Sequence, residues 1–214
     1  MNVPKGLFIT IEGGEGAGKT TLIRSLAKEL QARGRSVLTT REPGGIPIAE
    51  KIRSVILDKT HTSMDARTEA LLYAAARRQH LVEKVVPALE AGQWVICDRF
   101  IDSSLAYQGY ARGLGIEDVW SINRYAIGEW MPDATLWLDV PPELGLARIA
   151  ASSEREVNRL DLETEAFHRR VQEGYRLLHE QEPRRIFRLD ASLAPDSIQE
   201  QAMRVLWPLQ QESI

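Results

Sequence analysis

The chain has 214 residues, 43% of them hydrophobic and 27% charged, with a formal charge of −3 and a pI of about 5.9. A chain of this length buries roughly 70% of its unfolded surface, enough for one compact domain, and its mild acidity excludes a general attraction to nucleic acid or anionic membrane. The single cysteine, Cys97, excludes an internal disulfide and any multi-cysteine metal centre.

Short apolar runs of β type alternate with longer helical ones, which predicts an α/β fold around a parallel sheet. The first run, residues 7–11, leads into Gly13-Gly14-Glu15-Gly16-Ala17-Gly18-Lys19-Thr20, a full match to G-x-x-x-x-G-K-[ST]. Glycines let the backbone curl so that successive N–H groups face an anion, and the helix that follows adds its positive dipole end. This P-loop predicts nucleotide contacts from Gly13 through Lys19, Thr20 and Thr21. Lys19 is expected to reach the β- and γ-phosphates of ATP and the Thr20 hydroxyl to ligate Mg2+. Leu22, Ile23, Leu26 and Leu30 form the apolar stripe of the helix.

The second strand, residues 36–40, ends in Arg41-Glu42-Pro43-Gly44-Gly45, where Pro43 and Gly44 suit a type II turn. That turn leaves the preceding Arg-Glu unexplained. Arg53, on the next helix, either points back at the same crevice or is an exposed helix charge. Tyr73 and Arg77 are four apart in a helix and share a face. Together they suit a reader of a planar base, stacking and donating, or are a core tyrosine beside a surface arginine. Leu81, Val82, Val85, Val86 and Leu89 make a second stripe.

The third strand, residues 94–97, places Cys97 in an apolar run as a small buried hydrophobe and is followed by Asp98-Arg99. An acid there holds Mg2+ through water, and the arginine grips a second, acceptor phosphate; the alternative is a solvated pair. The fourth strand, residues 135–140, is followed by a helix starting at Pro142, and the fifth is residues 185–189. Residues 152–161 are polar and charged and read as an exposed connection, a plain loop or a flap. Neither D-x-x-G nor N-K-x-D occurs, which excludes a GTPase switch, and His61, His80, His168 and His179 lack metal-ligand spacing.

Of 27 basic residues 21 are arginine, which suits phosphate handling and is equally the product of genomic base composition. With no long apolar run and no basic region leading into one, cytoplasm is the expected location.

Taken together, the strings Ile11-Glu12-Gly13, Arg41-Glu42-Pro43-Gly44-Gly45, Leu72-Tyr73-Ala74-Ala75-Ala76-Arg77, Asp98-Arg99-Phe100 and Asp102-Ser103-Ser104-Leu105-Ala106-Tyr107-Gln108-Gly109 resemble the bacterial thymidylate kinase family, in order and over most of the chain. The resemblance implies a P-loop NTPase three-layer fold, with a five-stranded parallel sheet flanked by helices, in a single domain with a mobile lid at about 148–161. It implies phosphorylation of dTMP by Mg-ATP and a homodimer.

Residue by residue, it implies that Glu15 holds the deoxyribose 3′-hydroxyl, while Arg99, with help from Arg53 and the turn at Glu42, positions the acceptor phosphate. Tyr73 stacks on thymine and Arg77 donates to O4. Ser104 and Gln108 complete the base pocket, and Tyr107 disfavours a 2′-hydroxyl. The catalytic arginine comes from the lid: Arg148, Arg155 or Arg159. Tyr73 stands where the family often has Phe, and Phe100 where it often has Tyr or His. Ala76 replaces a frequent Asp. Rival readings are another nucleoside-monophosphate or deoxynucleoside kinase on this scaffold, and a P-loop binding protein without turnover.

Overall fold

The structure, a computed structural model, describes residues 6–151 and 159–209. In chain order it runs β1 (Phe8–Gly13), α1 (Lys19–Ala32), β2 (Val37–Arg41), α2 (Pro47–Leu57), α3 (Ala66–His80), a π turn (Leu81–Val85), α4 (Val86–Glu90), β3 (Trp94–Asp98) and α5 (Ile101–Ser104). A second π turn (Leu105–Ala111), α6 (Ile116–Ile127), β4 (Ala134–Asp139), α7 (Pro142–Ala150), a 3-10 turn (Arg159–Leu162), α8 (Glu165–Gln181), β5 (Ile186–Asp190) and α9 (Pro195–Leu209) complete it. All five expected strands form, each within a residue or two of its expected bounds, and α7 starts at Pro142.

The sheet is parallel throughout, in the order β2-β3-β1-β4-β5. Alternate residues feed two cores. Ile9, Ile11, Ile96, Leu136 and Leu138 pack under α1 and α9, with Leu22, Leu26 and Leu206. Phe8, Val95, Cys97 and Trp137 pack on the other face with Leu81, Leu89, Phe100 and Tyr175. Burial of both faces is why the central strands read as continuous apolar runs. β1 lies at the centre, and the chain leaves β3 on one side of it to build β4 on the other. The carboxyl ends of β1 and β3 therefore meet at the crossover, where open α/β sheets bind ligands.

Two sequence expectations are corrected here. Val82 is exposed while Leu81, Val85 and Leu89 are buried, because the π turn Leu81–Val85 shifts the phase of the helix and rotates Val82 out of the stripe. The connection expected to be exposed at 152–161 lies largely outside the described residues. Its far end is a 3-10 turn in which Leu160 is buried in the core.

Candidate active site

The carboxyl edge of the sheet opens onto a cavity of about 600 Å3. One wall is the loop between β1 and α1. Gly16 and Gly18 take φ of +68° and +93°, a left-handed backbone that side chains disfavour. Gly16 also rests on α7 backbone to backbone: a Cβ there would lie 2.0 Å from the Gly145 carbonyl oxygen, and one on Gly145 would lie 2.3 Å from that of Glu15. Lys19 opens α1 with its side chain almost enclosed, and its Nζ donates to the carbonyls of Gly13 (3.1 Å) and Gly14 (2.8 Å). Burial, and then repulsion from Arg99, lower its pKa to about 8.

Thr20, Thr21 and Asp98 line the same cavity. Among the described residues neither the Thr20 hydroxyl nor the Asp98 carboxylate has a hydrogen-bond partner. No group of three or more His, Cys, Asp or Glu among them could enclose a metal ion. One free carboxylate and one hydroxyl suit Mg2+, a cation that keeps most of its shell as water and substrate phosphate.

Arg99 faces the loop from the end of β3. Its φ of +69° makes it the sole non-glycine left-handed residue among those described, a conformation costing about 1–2 kcal/mol. Neighbouring bonds enforce it: Arg99 N donates to the Ile11 carbonyl at 3.0 Å, and Phe100 N to Glu12 Oε1 at 2.7 Å. The turn aims the guanidinium back at the P-loop, where Nη1 donates to the Gly13 carbonyl (3.0 Å) and Nη2 to Glu15 Oε1 (2.5 Å). Tyr107 O–H donates to the same carboxylate oxygen at 3.2 Å, and the Arg99 guanidinium lies 5.0 Å from the Tyr107 ring centroid.

The far wall comes from α2, α3 and the second π turn. Arg53 points into the cavity, as one of its two readings required, and its Nη1 donates to the Pro43 carbonyl at 3.0 Å. The Glu42–Pro43 peptide is cis. Tyr73 lines the cavity. Arg77 does too, but it is 2% exposed, which corrects the surface-arginine reading. Its Nε donates to Glu42 Oε2 (2.8 Å), Nη1 to Ser104 Oγ (3.0 Å) and to Asn123, and Nη2 to the Phe100 carbonyl (2.9 Å). Glu42 in turn accepts from His80 Nδ1 at 2.9 Å.

Ser104, Tyr107 and Gln108 complete this side. The last two lie on the second π turn, a geometry frequent at functional sites. Of the lid candidates, Arg148 lines the cavity and its Nη1 donates to the Ala191 carbonyl (3.0 Å). Arg159 is engaged elsewhere, with the Ile56 carbonyl (2.9 Å) and with Glu69. Arg155 lies outside the described residues.

Sequence reasoning assigned no role to Glu12, Ser103 or Tyr175. Glu12, next to last in β1, is fully buried and accepts from Ser103 Oγ (2.5 Å) and Tyr175 O–H (2.8 Å) besides Phe100 N. The available signal was an acid closing an apolar strand. Burial, and then the Asp102 carboxylate, push its carboxyl up to about 7. A raised carboxyl binds its proton more tightly folded than unfolded, so this group makes stability fall as pH rises from about 4.5 to about 7. Glu12→Gln is expected to flatten that slope in melting temperature against pH. An unchanged slope would assign it to other groups.

The family model described as thymidylate kinase matches residues 11–202. The chain is 59% identical over 202 residues to a thymidylate kinase of Halalkalibacterium halodurans, covering 94% of this chain and 96% of that one. It is 60% identical over 193 residues to a thymidylate kinase of Geobacillus thermodenitrificans (90% and 86%). It is also 58% identical over 197 residues to one of Clostridium novyi (92% and 96%).

Proposed function

The chain belongs to the thymidylate kinase family, and from that premise we propose that it transfers the terminal phosphoryl group of Mg-ATP to dTMP, giving dTDP and ADP in the supply of dTTP for DNA synthesis. The observation that carries this reading is the guanidinium of Arg99, which reaches from the end of β3 to both the Gly13 carbonyl and Glu15. A side chain so placed ties a second phosphate-binding position to the loop that cradles the donor.

Gly13 to Gly18 wrap the donor phosphates with backbone N–H groups, and Lys19 leaves its two carbonyls for the β- and γ-oxygens. Thr20 and Asp98 would hold Mg2+, which would supply positive charge against the donor phosphates. Arg99 and Arg53 set an acceptor phosphate oxygen in line with the γ-phosphorus. The bond from that phosphorus to the attacking oxygen forms as the bond to the β–γ bridging oxygen breaks, and the electron pair leaves with ADP. An acceptor phosphate is already ionised near neutral pH, so positioning and charge do the work and no general base is required.

Glu15, held by Arg99 and Tyr107, receives the 3′-hydroxyl, and Tyr107 fills the space a 2′-hydroxyl would need. Tyr73 stacks on thymine. Arg77, with four N–H groups committed inside the protein, keeps one Nη2 hydrogen for O4. A lid at about 148–161 supplies the arginine for the equatorial oxygens. Arg148, which lines the cavity, suits that task better than Arg159, whose guanidinium is bound to Glu69.

A homodimer in the cytoplasm is the remaining part of the reading. Leu71 on α3 and Tyr125 on α6, 55% and 93% exposed, give these packed helices apolar surface for a second copy, which light scattering would report. No helix among the described residues is long and apolar enough to cross a membrane.

Incubation with Mg-ATP and dTMP, dUMP, UMP or CMP, scored by ADP released, tests the function. dTMP is expected to be the preferred acceptor, and no transfer to any of the four would overturn the reading.

A further inference from the structure

One buried carboxylate beside the cavity takes no part in this mechanism. Glu69, in the first turn of α3, is 1% exposed. Its Oε1 accepts from Gln108 Nε2 at 2.8 Å and from Arg112 Nε at 3.5 Å, and its Oε2 accepts from Arg159. An ionised carboxylate has no hydrogen to give, and Glu69 stands against two arginines. The amide of Gln108 must therefore turn its NH2 toward Glu69. Its Oε1 is the atom left over: no group of the described residues donates to it, and Gln108 lines the cavity.

We propose that Glu69 is a positioning residue that fixes the hydrogen-bond polarity of Gln108, so that the base pocket offers an acceptor there and selects a pyrimidine whose ring nitrogen carries hydrogen. The inference rests on the reading of a pyrimidine monophosphate as acceptor. On the neighbouring wall Arg77 has one N–H remaining, a donor. A donor beside an acceptor matches an imide, which shows a carbonyl next to a ring N–H. Cytosine shows the reverse, an amino group next to a ring lone pair, and would leave both protein groups facing their own kind. Sites built around such polar pairs reject the mismatched analogue by factors of about 10⁴–10⁵. With a neutral amide in place of Glu69, Gln108 is free to turn over, because that residue both donates and accepts.

The test is kcat/KM for dTMP and for dCMP with saturating Mg-ATP in wild type, Glu69→Gln and Arg112→Met. The dTMP-to-dCMP ratio is expected to fall about tenfold or more in Glu69→Gln, with KM for dTMP raised and KM for ATP unchanged. Arg112→Met removes a cation from Glu69 without touching the bond to Gln108, and is expected to keep the wild-type ratio. An unaltered ratio in Glu69→Gln, or an equal fall in Arg112→Met, overturns the proposal and leaves Glu69 as an ion-pair partner. Should Glu69→Gln not fold, the Glu69→Gln/Arg112→Met double variant, which removes a cation stranded by the change, takes its place against the Arg112→Met baseline. Wild-type protein that phosphorylates neither nucleotide would instead overturn the function, a separate outcome.

Discussion

Lys19→Ala is expected to lower kcat by about 10²-fold or more, the scale of losing one preorganised donor at a site of developing charge. The ammonium is nearly enclosed and rests on the Gly13 and Gly14 carbonyls, so it needs little movement to meet phosphate oxygens at the same loop. Steady-state ADP release at saturating dTMP and Mg-ATP measures the effect, and a near-wild-type rate would remove Lys19 from the mechanism. The lowered pKa adds a second expectation. With Lys19 titrating at about 8 in the free protein, kcat/KM for ATP should decline above that pH as the amine loses its charge. Bound phosphates favour the protonated form, so kcat itself should hold to higher pH. Profiles that bend at the same pH would contradict this, since kcat/KM reports the free protein and kcat the complex.

Arg77→Ala is expected to act first on the fold. The guanidinium is buried against Glu42, Ser104, Asn123 and the Phe100 carbonyl. Its removal strands the Glu42 carboxylate, itself 4% exposed, with His80 as its remaining side-chain partner among the described residues. Breaking a buried pair in this way costs about 3–5 kcal/mol, a large share of the 5–15 kcal/mol typical of a domain. At about 2–4 °C per kcal/mol for a chain of this size, the melting temperature should drop by roughly 6–20 °C. In protein that remains folded, KM for dTMP should rise more than KM for ATP. Equal changes in both would remove Arg77 from the base pocket, and an unmoved melting temperature would contradict the burial argument.

Local pattern sufficed to locate the loop between β1 and α1. The loop is contiguous and sits between an apolar strand and an amphipathic helix, so its position and its left-handed glycines are written in adjacent residues. Asp98-Arg99 was legible for a related reason: parallel strands end at the ligand-binding edge. The left-handed turn at Arg99 was not, because what enforces it is Glu12, 87 positions earlier in the sequence. Nor does a spacing of four separate a buried arginine from an exposed one. Arg77 is internal because Glu42, Ser104 and Asn123 arrive from three other segments. The two π turns escape a search for period 3.6, which put Val82 on the wrong face and gave no warning of how Tyr107 and Gln108 are aimed. Leu160 follows a polar stretch whose composition hides its burial.

Cys97 sits at 0% exposure in the middle strand of one half of the sheet, its Sγ 3.1 Å from the Arg99 carbonyl oxygen. Burial raises its pKa well above that of a free thiol, and thiolate is the nucleophile toward alkylating probes. The native protein is therefore a silent background for thiol chemistry. A cysteine introduced on the exposed side of α7 and another on α2 would take maleimide dyes without competition from within, and energy transfer between them would measure whether the distance across the cavity changes when nucleotides are added.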